Sequence, residues 1–454
     1  MSNIIKPELL LPAGTLEHQK YAYDFGADAV YAGQPRYSLR ARNNEFQLEQ
    51  LATGIAYAKS LNKKLYIASN ILPHNSKIKT YLKDMELVIE LKPDALIMAD
   101  PGLIMMVMDK WPDTEIHLSV QANTMNYASV KFWQRIGIKR IILSRELSLD
   151  EIEEIRQECP DMELEVFVHG ALCMAYSGRC LLSGYFNRRD PNQGTCTNAC
   201  RWEYKLHDAV ETATGDIKLP YASDFDFNKE LNDLNANFAS CGDVERHPLA
   251  NAPYLLEDSS RLGELMPIME DEHGTYIMNS KDLRAIEHIE RLVKIGVNSL
   301  KVEGRTKSIY YVALVAMSYR KAIDDAMLNK KFDPKLLADL EGLANRGYTD
   351  GFFQRHHSHE YQNYLDSHSK SRMKQYVGLV LSVDSEGNAL VDVKNKFSVG
   401  DTIDILHKSS TKTIELTNLY NQNFEKVLVA QGSGVRVLIP NMHNMDGALL
   451  SRVL

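Results

Sequence analysis

The apolar positions of the first 170 residues repeat one pattern: a short, nearly continuous apolar run, a polar or glycine stop, then a segment with helical spacing. Runs at 8–14, 28–33, 64–70, 95–100, 115–123, 140–146 and 163–170 predict seven strands. Runs such as Leu9-Leu10-Leu11 and Ile141-Ile142-Leu143 lack alternation, as expected of parallel strands buried on both faces. Residues 81–91 and 149–158 have the length and spacing of amphipathic helices. Residues 298–305 supply an eighth strand, with a helix over 308–325. Eight strands alternating with helices predict an α/β fold, a (β/α)₈ TIM-like barrel over 1–330. An open doubly wound sheet is the alternative. It is disfavoured because Pro12-Ala13-Gly14-Thr15 is not a dinucleotide-type glycine loop.

Between strands seven and eight lies a long insertion, 171–297, far beyond an ordinary βα loop. It leaves from the carboxyl end of a strand, the face where such barrels act. From residue 375 the pattern changes to short alternating strands at 377–383, 389–393, 402–406, 412–416, 427–430 and 435–439, which predict a separate small β-barrel over 375–454. Residues 331–374 form a helical and polar linker with His356, His357, His359 and His368, read as solvated or RNA-facing.

The insertion changes the picture chemically. Four of six cysteines fall there as Cys173-x₆-Cys180-x₁₅-Cys196-x₃-Cys200. No stretch is a membrane span and none resembles a secretory leader, so a cytoplasmic, reducing setting is expected, where clustered thiols ligate metal rather than pair. Structural zinc uses tight pairs two to four residues apart, and only Cys196 and Cys200 approach that; the dispersed set, wrapped by glycine-rich polar loops, favours an iron–sulfur cluster over zinc. The Cys-x₃-Cys-x₂-Cys triplet of S-adenosylmethionine radical enzymes is absent. Cys159 and Cys241 carry no spacing argument, and Cys159 reads as structural.

The net charge of −8 argues against a general nucleic-acid coat but leaves room for a local basic patch. Candidates for phosphate contact are Lys370, Arg372, Lys374, Arg188 and Arg189. Surface charge is the plainer reading of all five.

The segments His169-Gly170-Ala171-Leu172-Cys173, Ser177-Gly178-Arg179-Cys180, Leu10-Leu11-Pro12-Ala13-Gly14, Gly26-Ala27-Asp28-Ala29-Val30-Tyr31, Ser38-Leu39-Arg40-Ala41-Arg42, Met278-Asn279-Ser280-Lys281-Asp282-Leu283 and Lys301-Val302-Glu303-Gly304-Arg305 resemble, in order, the collagenase-like peptidase family. The length and the small C-terminal domain look most like its tRNA-hydroxylating branch. The resemblance implies oxygen-independent, prephenate-dependent hydroxylation of the wobble uridine in the tRNA anticodon loop to 5-hydroxyuridine. It also implies that Cys173, Cys180, Cys196 and Cys200 hold an iron–sulfur cluster, of 4Fe-4S type, and that no obligate protein partner is needed. Alternatives are a collagenase-like peptidase, for which no His-Glu-x-x-His or Gly-x-Ser-x-Gly motif is present, an RNA-binding protein with a structural cluster, and hydroxylation of a quinone precursor.

Prephenate carries two carboxylates, which guanidinium groups grip in forks. Arginines expected near the mouth are Arg40, Arg42, Arg145, Arg179 and Arg305. His169, close before the first thiol, is a candidate proton shuttle or donor to a cluster sulfur, with a satisfied structural histidine as the plain alternative. Gln121 and Asn123 could read a uracil edge, and Tyr176 could stack on it.

Overall fold

The computed structural model describes residues 5–34, 36–39, 46–172, 282–343, 347–354 and 374–454, together with the backbone of a few short strands between 210 and 276. Eight parallel strands carry the first part of the chain: β1 (Glu8–Pro12), β2 (Ala29–Gly33), β3 (Lys64–Ser69), β4 (Ala95–Met98), β5 (Ile116–Leu118), β6 (Arg140–Ile142), β7 (Glu163–Ala171) and β8 (Ser299–Val302). Each pairs with the next, and β8 pairs with both β1 and β7, so the sheet closes. The (β/α)₈ barrel expected from the sequence is the fold.

Helices α1 (Leu16–Asp24), α2 (Leu48–Ser60), α3 (Asn75–Glu90), α4 (Pro101–Lys110), α5 (Tyr127–Ile136), α6 (Leu149–Glu158), α7 (Ile289–Ile295) and α8 (Ile309–Met327) alternate with them. Their ends follow local chemistry. Asp100 Oδ1 accepts from the Leu103 N–H with Pro101 in the first turn, Ser148 and Glu151 form a capping box, and Gly137 ends α5 at φ +103°. Two strands stop earlier than their apolar runs suggest. β5 ends at Leu118 and passes into a 3₁₀ turn, Val120–Ala122, closed by Asn123 at φ +50°. β8 ends at Val302 because Gly304, at φ +143°, turns the chain.

The barrel resumes before its eighth strand. Asp282–Arg284 pairs antiparallel with the end of β7, α7 follows, and Tyr348–Thr349 adds parallel to Asp282–Arg284. The insertion 171–297 therefore returns to the barrel from residue 282 onward. Within it, Val210–Glu211 pairs with Ile217–Lys218, and Tyr254–Glu257, Leu265–Asp271 and Gly274–Tyr276 form an antiparallel sheet.

The C-terminal part is a seven-stranded antiparallel sheet with its own core, including Val377, Val391, Phe397, Ile403, Val437 and Leu450. Leu449–Val453, which the alternation does not reveal, sits inside that sheet between Lys374–Val383 and Thr402–His407. This sheet is seated on the barrel: Tyr310 of α8 stacks on Tyr376 at 5.4 Å and donates to Ser451 Oγ at 3.0 Å, and Tyr21 of α1 donates to the Gly447 carbonyl at 2.9 Å. No helix among the described residues is long and apolar enough to cross a membrane.

Candidate functional site

The barrel interior is not filled with aliphatic side chains alone. Its lower layer holds a charged network in which Arg140 of β6 donates to Glu8 of β1 at 2.6 Å, to Glu163 at 2.8 Å and to Glu165 of β7 at 3.3 Å. Tyr66 and Ser299 donate to the same Glu8 carboxylate at 2.7 and 3.1 Å. His117 lies edge-on to Tyr66 and is paired with Glu115 at 2.9 Å; burial lowers its pKa, so it is neutral. Burial alone would lower the Arg140 pKa, but Glu8 and Glu165 outweigh it and keep the guanidinium charged.

One layer up, Lys301 of β8 reaches Glu165 at 2.7 Å, and both side chains are buried. Burial pushes the Lys301 pKa down against the pull of Glu165. Burial pushes Glu165 up, but Lys301 and Arg140 prevail and hold it below the usual carboxylate range. The Lys301 ammonium lies 4.5 Å from the centre of the Tyr31 ring and 5.5 Å from that of Phe167, its cross-strand partner.

At the carboxyl ends of the strands the same two rings carry arginines. Arg145, just past β6, stacks on Phe167 at 3.7 Å and meets Glu303 at 3.3 Å. Arg305, after β8, lies 5.9 Å from the Tyr31 ring and donates to Ser38 Oγ at 3.0 Å. Across the mouth, Asn70 donates to Ser119 Oγ at 3.3 Å, and Ser119 donates to Gln121 Oε1 at 3.4 Å. Asn123 closes that turn. Thr124 Oγ1 and Ser144 Oγ are buried nearby with no hydrogen-bond partner among the described residues.

Of the residues singled out in the sequence, Arg145 and Arg305 therefore converge on one aromatic pair, and Gln121 and Asn123 lie at the head of β5. His169 lies elsewhere. A register shift between Lys301 and Val302 turns it toward α8, where it packs against Tyr311, Tyr319 and Tyr348. Tyr319 donates to the Val168 carbonyl at 2.7 Å, so His169 Nδ1, 3.2 Å from the same hydroxyl, is its donor. Burial lowers the His169 pKa to about 3, so the ring is neutral. Lys374 is paired with Asp404 at 2.9 Å. Cys159 is a buried free thiol, the structural role expected of it.

Arg40, Arg42, Tyr176, Arg179, Arg188, Arg189, Lys370 and Arg372 lie outside the described residues, as do Cys173, Cys180, Cys196 and Cys200. The donor set fits an iron–sulfur cluster: four soft thiols follow a strand that leads, through the buried Leu172, out of the barrel's carboxyl end.

Lys301, Glu165, Tyr31, Phe167 and Glu303 were not reached from the sequence. The signal that could have found them is a charged or aromatic residue at inward positions of strands that otherwise read as continuous apolar runs.

The chain is 55% identical over 447 residues to tRNA hydroxylation protein P of Escherichia coli (strain K12), covering 98% of this chain and 95% of that protein. It is 52% identical to tRNA hydroxylation protein P of Haemophilus influenzae, covering 100% of this chain and 98% of that one. It is 34% identical to tRNA hydroxylation protein P1 of Bacillus subtilis, covering 90% and 86%. Residues 14–363 match the model of peptidase family U32 and residues 372–452 that of the peptidase family U32 C-terminal domain. The sequence motifs, the barrel and these two matches agree: the chain belongs to peptidase family U32.

Proposed function

We propose that this chain is a tRNA-modifying enzyme that hydroxylates the wobble uridine to 5-hydroxyuridine without molecular oxygen, using prephenate and an iron–sulfur cluster held by Cys173, Cys180, Cys196 and Cys200. The observation that carries the reading is near full-length identity of 55% to a tRNA hydroxylation protein. The site supports it. Arg145, half-buried, and Arg305, buried, are fixed on Phe167 and Tyr31, where a small dianion would find paired guanidinium donors. Arg40, Arg42 and Arg179 are assigned to the same anion. Gln121 and Asn123 are assigned to hydrogen-bond a uracil edge, with Tyr176 as its stacking partner. A wobble base lies in a loop and can be turned into a pocket at modest cost. The cluster, when bound, supplies electron transfer; the protein's own part is to bind and orient the two substrates and to exclude water.

Anaerobic purification tests the cofactor. About four iron per chain and a brown colour are expected, and stoichiometric zinc in a colourless protein would remove the cluster from the proposal. Mass spectrometry of tRNA from cells lacking the gene tests the activity. Wobble hydroxylation should fall, and should be lost under anaerobic growth; unchanged anaerobic levels would overturn the assignment.

A further inference from the structure

We infer that Lys301 is the carbonyl-binding residue of the pocket, forming an imine with the ketone of a 2-oxo dicarboxylic acid whose carboxylates rest on Arg145 and Arg305. This rests on the prephenate reading above, since prephenate is such an acid.

The argument begins with placement. Lys301 is the third of four residues in β8, toward the carboxyl end where barrels carry out chemistry. Its amine shares the Tyr31 and Phe167 rings with the two arginines, one on each. The three cations on these two rings face the carboxylates of Glu165 and Glu303, with Arg140 sharing Glu165.

Chemistry comes next. Amines become nucleophilic when desolvated beside other cations, and both conditions hold here. Burial pulls the Lys301 pKa down, and Arg140 acts in the same direction. A proton acceptor stands at 2.7 Å in Glu165. A purely structural role is a poor account of the pair, because apolar residues of similar size stabilise a core about as well as a buried ion pair.

The step balances. Glu165 takes one proton from the ammonium, and the amine nitrogen attacks the ketone carbon. The carbinolamine hydroxyl then leaves as water, protonated by Glu165. Of the three ammonium protons, two depart on the water and one remains on the iminium nitrogen. The positive charge stays beside Glu165, so the buried charge balance is the same before and after.

The test uses the full chain, purified anaerobically, with prephenate and sodium cyanoborohydride, followed by intact-mass and peptide mass spectrometry. One reduced adduct on the peptide bearing Lys301 is expected. Lys301→Arg keeps the charge, should still bind prephenate within about tenfold by calorimetry, and should give neither adduct nor hydroxylated tRNA. Prephenate binding without an adduct at Lys301 would overturn the imine while leaving the prephenate reading intact, as would wild-type hydroxylation by Lys301→Arg. Absence of prephenate binding by the wild-type chain would overturn both.

Discussion

Gly33 makes room for Arg305: a Cβ at Gly33 would lie 2.1 Å from Nη1 of Arg305 and 2.5 Å from Oγ of Ser38. The guanidinium occupies the space that a side chain on β2 would fill. Gly33→Ala should therefore push Arg305 off Tyr31 and shift its partner Ser38. The expected outcome is a rise in prephenate KM of about tenfold or more, the loss of one charge-assisted contact, with the melting temperature changed by only a few degrees. Steady-state kinetics on tRNA and a thermal melt check it. An unchanged KM would mean that Arg305 does not hold the co-substrate.

The Glu165–Lys301 pair gives a second prediction. Glu165→Gln leaves Lys301 charged and buried without its carboxylate and weakens the hold on Arg140. Removing one member of a buried pair typically costs about 3–5 kcal/mol. The double variant Glu165→Leu with Lys301→Met removes both charges and should be more stable than Glu165→Gln alone. Urea unfolding measures both. The pH dependence has a fixed sign. The Glu165 pKa is lowered in the folded state, so its contribution is present above the normal carboxylate pKa and is lost as pH falls through the lowered value.

The barrel was legible in the sequence because parallel strands write continuous apolar runs, and Leu9-Leu10-Leu11 and Ile141-Ile142-Leu143 mark β1 and β6. Strand ends were less legible. β5 passes into a 3₁₀ turn closed by Asn123, and β8 stops before Gly304; both residues adopt positive φ, a backbone choice that apolar periodicity does not record. Arg145 was expected at the mouth from its place at strand six and Arg305 from its place after strand eight. Lys301 and Glu165 escaped because each looks like a surface charge until β7 and β8 are paired and both are seen to point inward. The direction of His169 was not legible for a related reason: one register shift between Lys301 and Val302 sends its ring to the helix layer.

That placement makes His169 a source of acid sensitivity. Its pKa is about 3 in the fold, against an ordinary value of 6.5. Below the ordinary value the unfolded chain takes up a proton that the folded chain refuses. Stability should therefore fall as pH drops from about 6.5 toward 3, by up to about 1.4 kcal/mol per unit. The neutral, buried His117 adds in the same direction. His169→Phe should flatten this part of the profile, at the cost of the hydrogen bond to Tyr319. Thermal melts at pH 7 and pH 5 test it: a drop as steep in the variant as in the wild type would assign the acid sensitivity elsewhere.

Two glycines separate backbone strain from collision. Gly170 and Gly296 both hold positive φ, +105° and +85°. Alanine at either position incurs the left-handed penalty, roughly 1 kcal/mol. At Gly296 a Cβ meets nothing within 4 Å, so the penalty should be the whole effect. At Gly170 it would lie 2.3 Å from the Glu303 carbonyl oxygen, which is backbone. Neither chain can step aside, because the Glu303 N–H is bonded to the His169 carbonyl at 2.8 Å and Gly170 pairs with Leu283. Gly170→Ala should thus cost several times more than Gly296→Ala in urea unfolding, on the order of 3 kcal/mol or above. The site should suffer with the fold. The β7–β8 register that sets Phe167 opposite Lys301 ends at this crossing, and Cys173 follows three residues later. Iron content and prephenate binding should therefore both fall in Gly170→Ala and stay near wild type in Gly296→Ala. Equal losses in the two variants would show that close packing of Gly170 against Glu303 does not hold the mouth of the barrel.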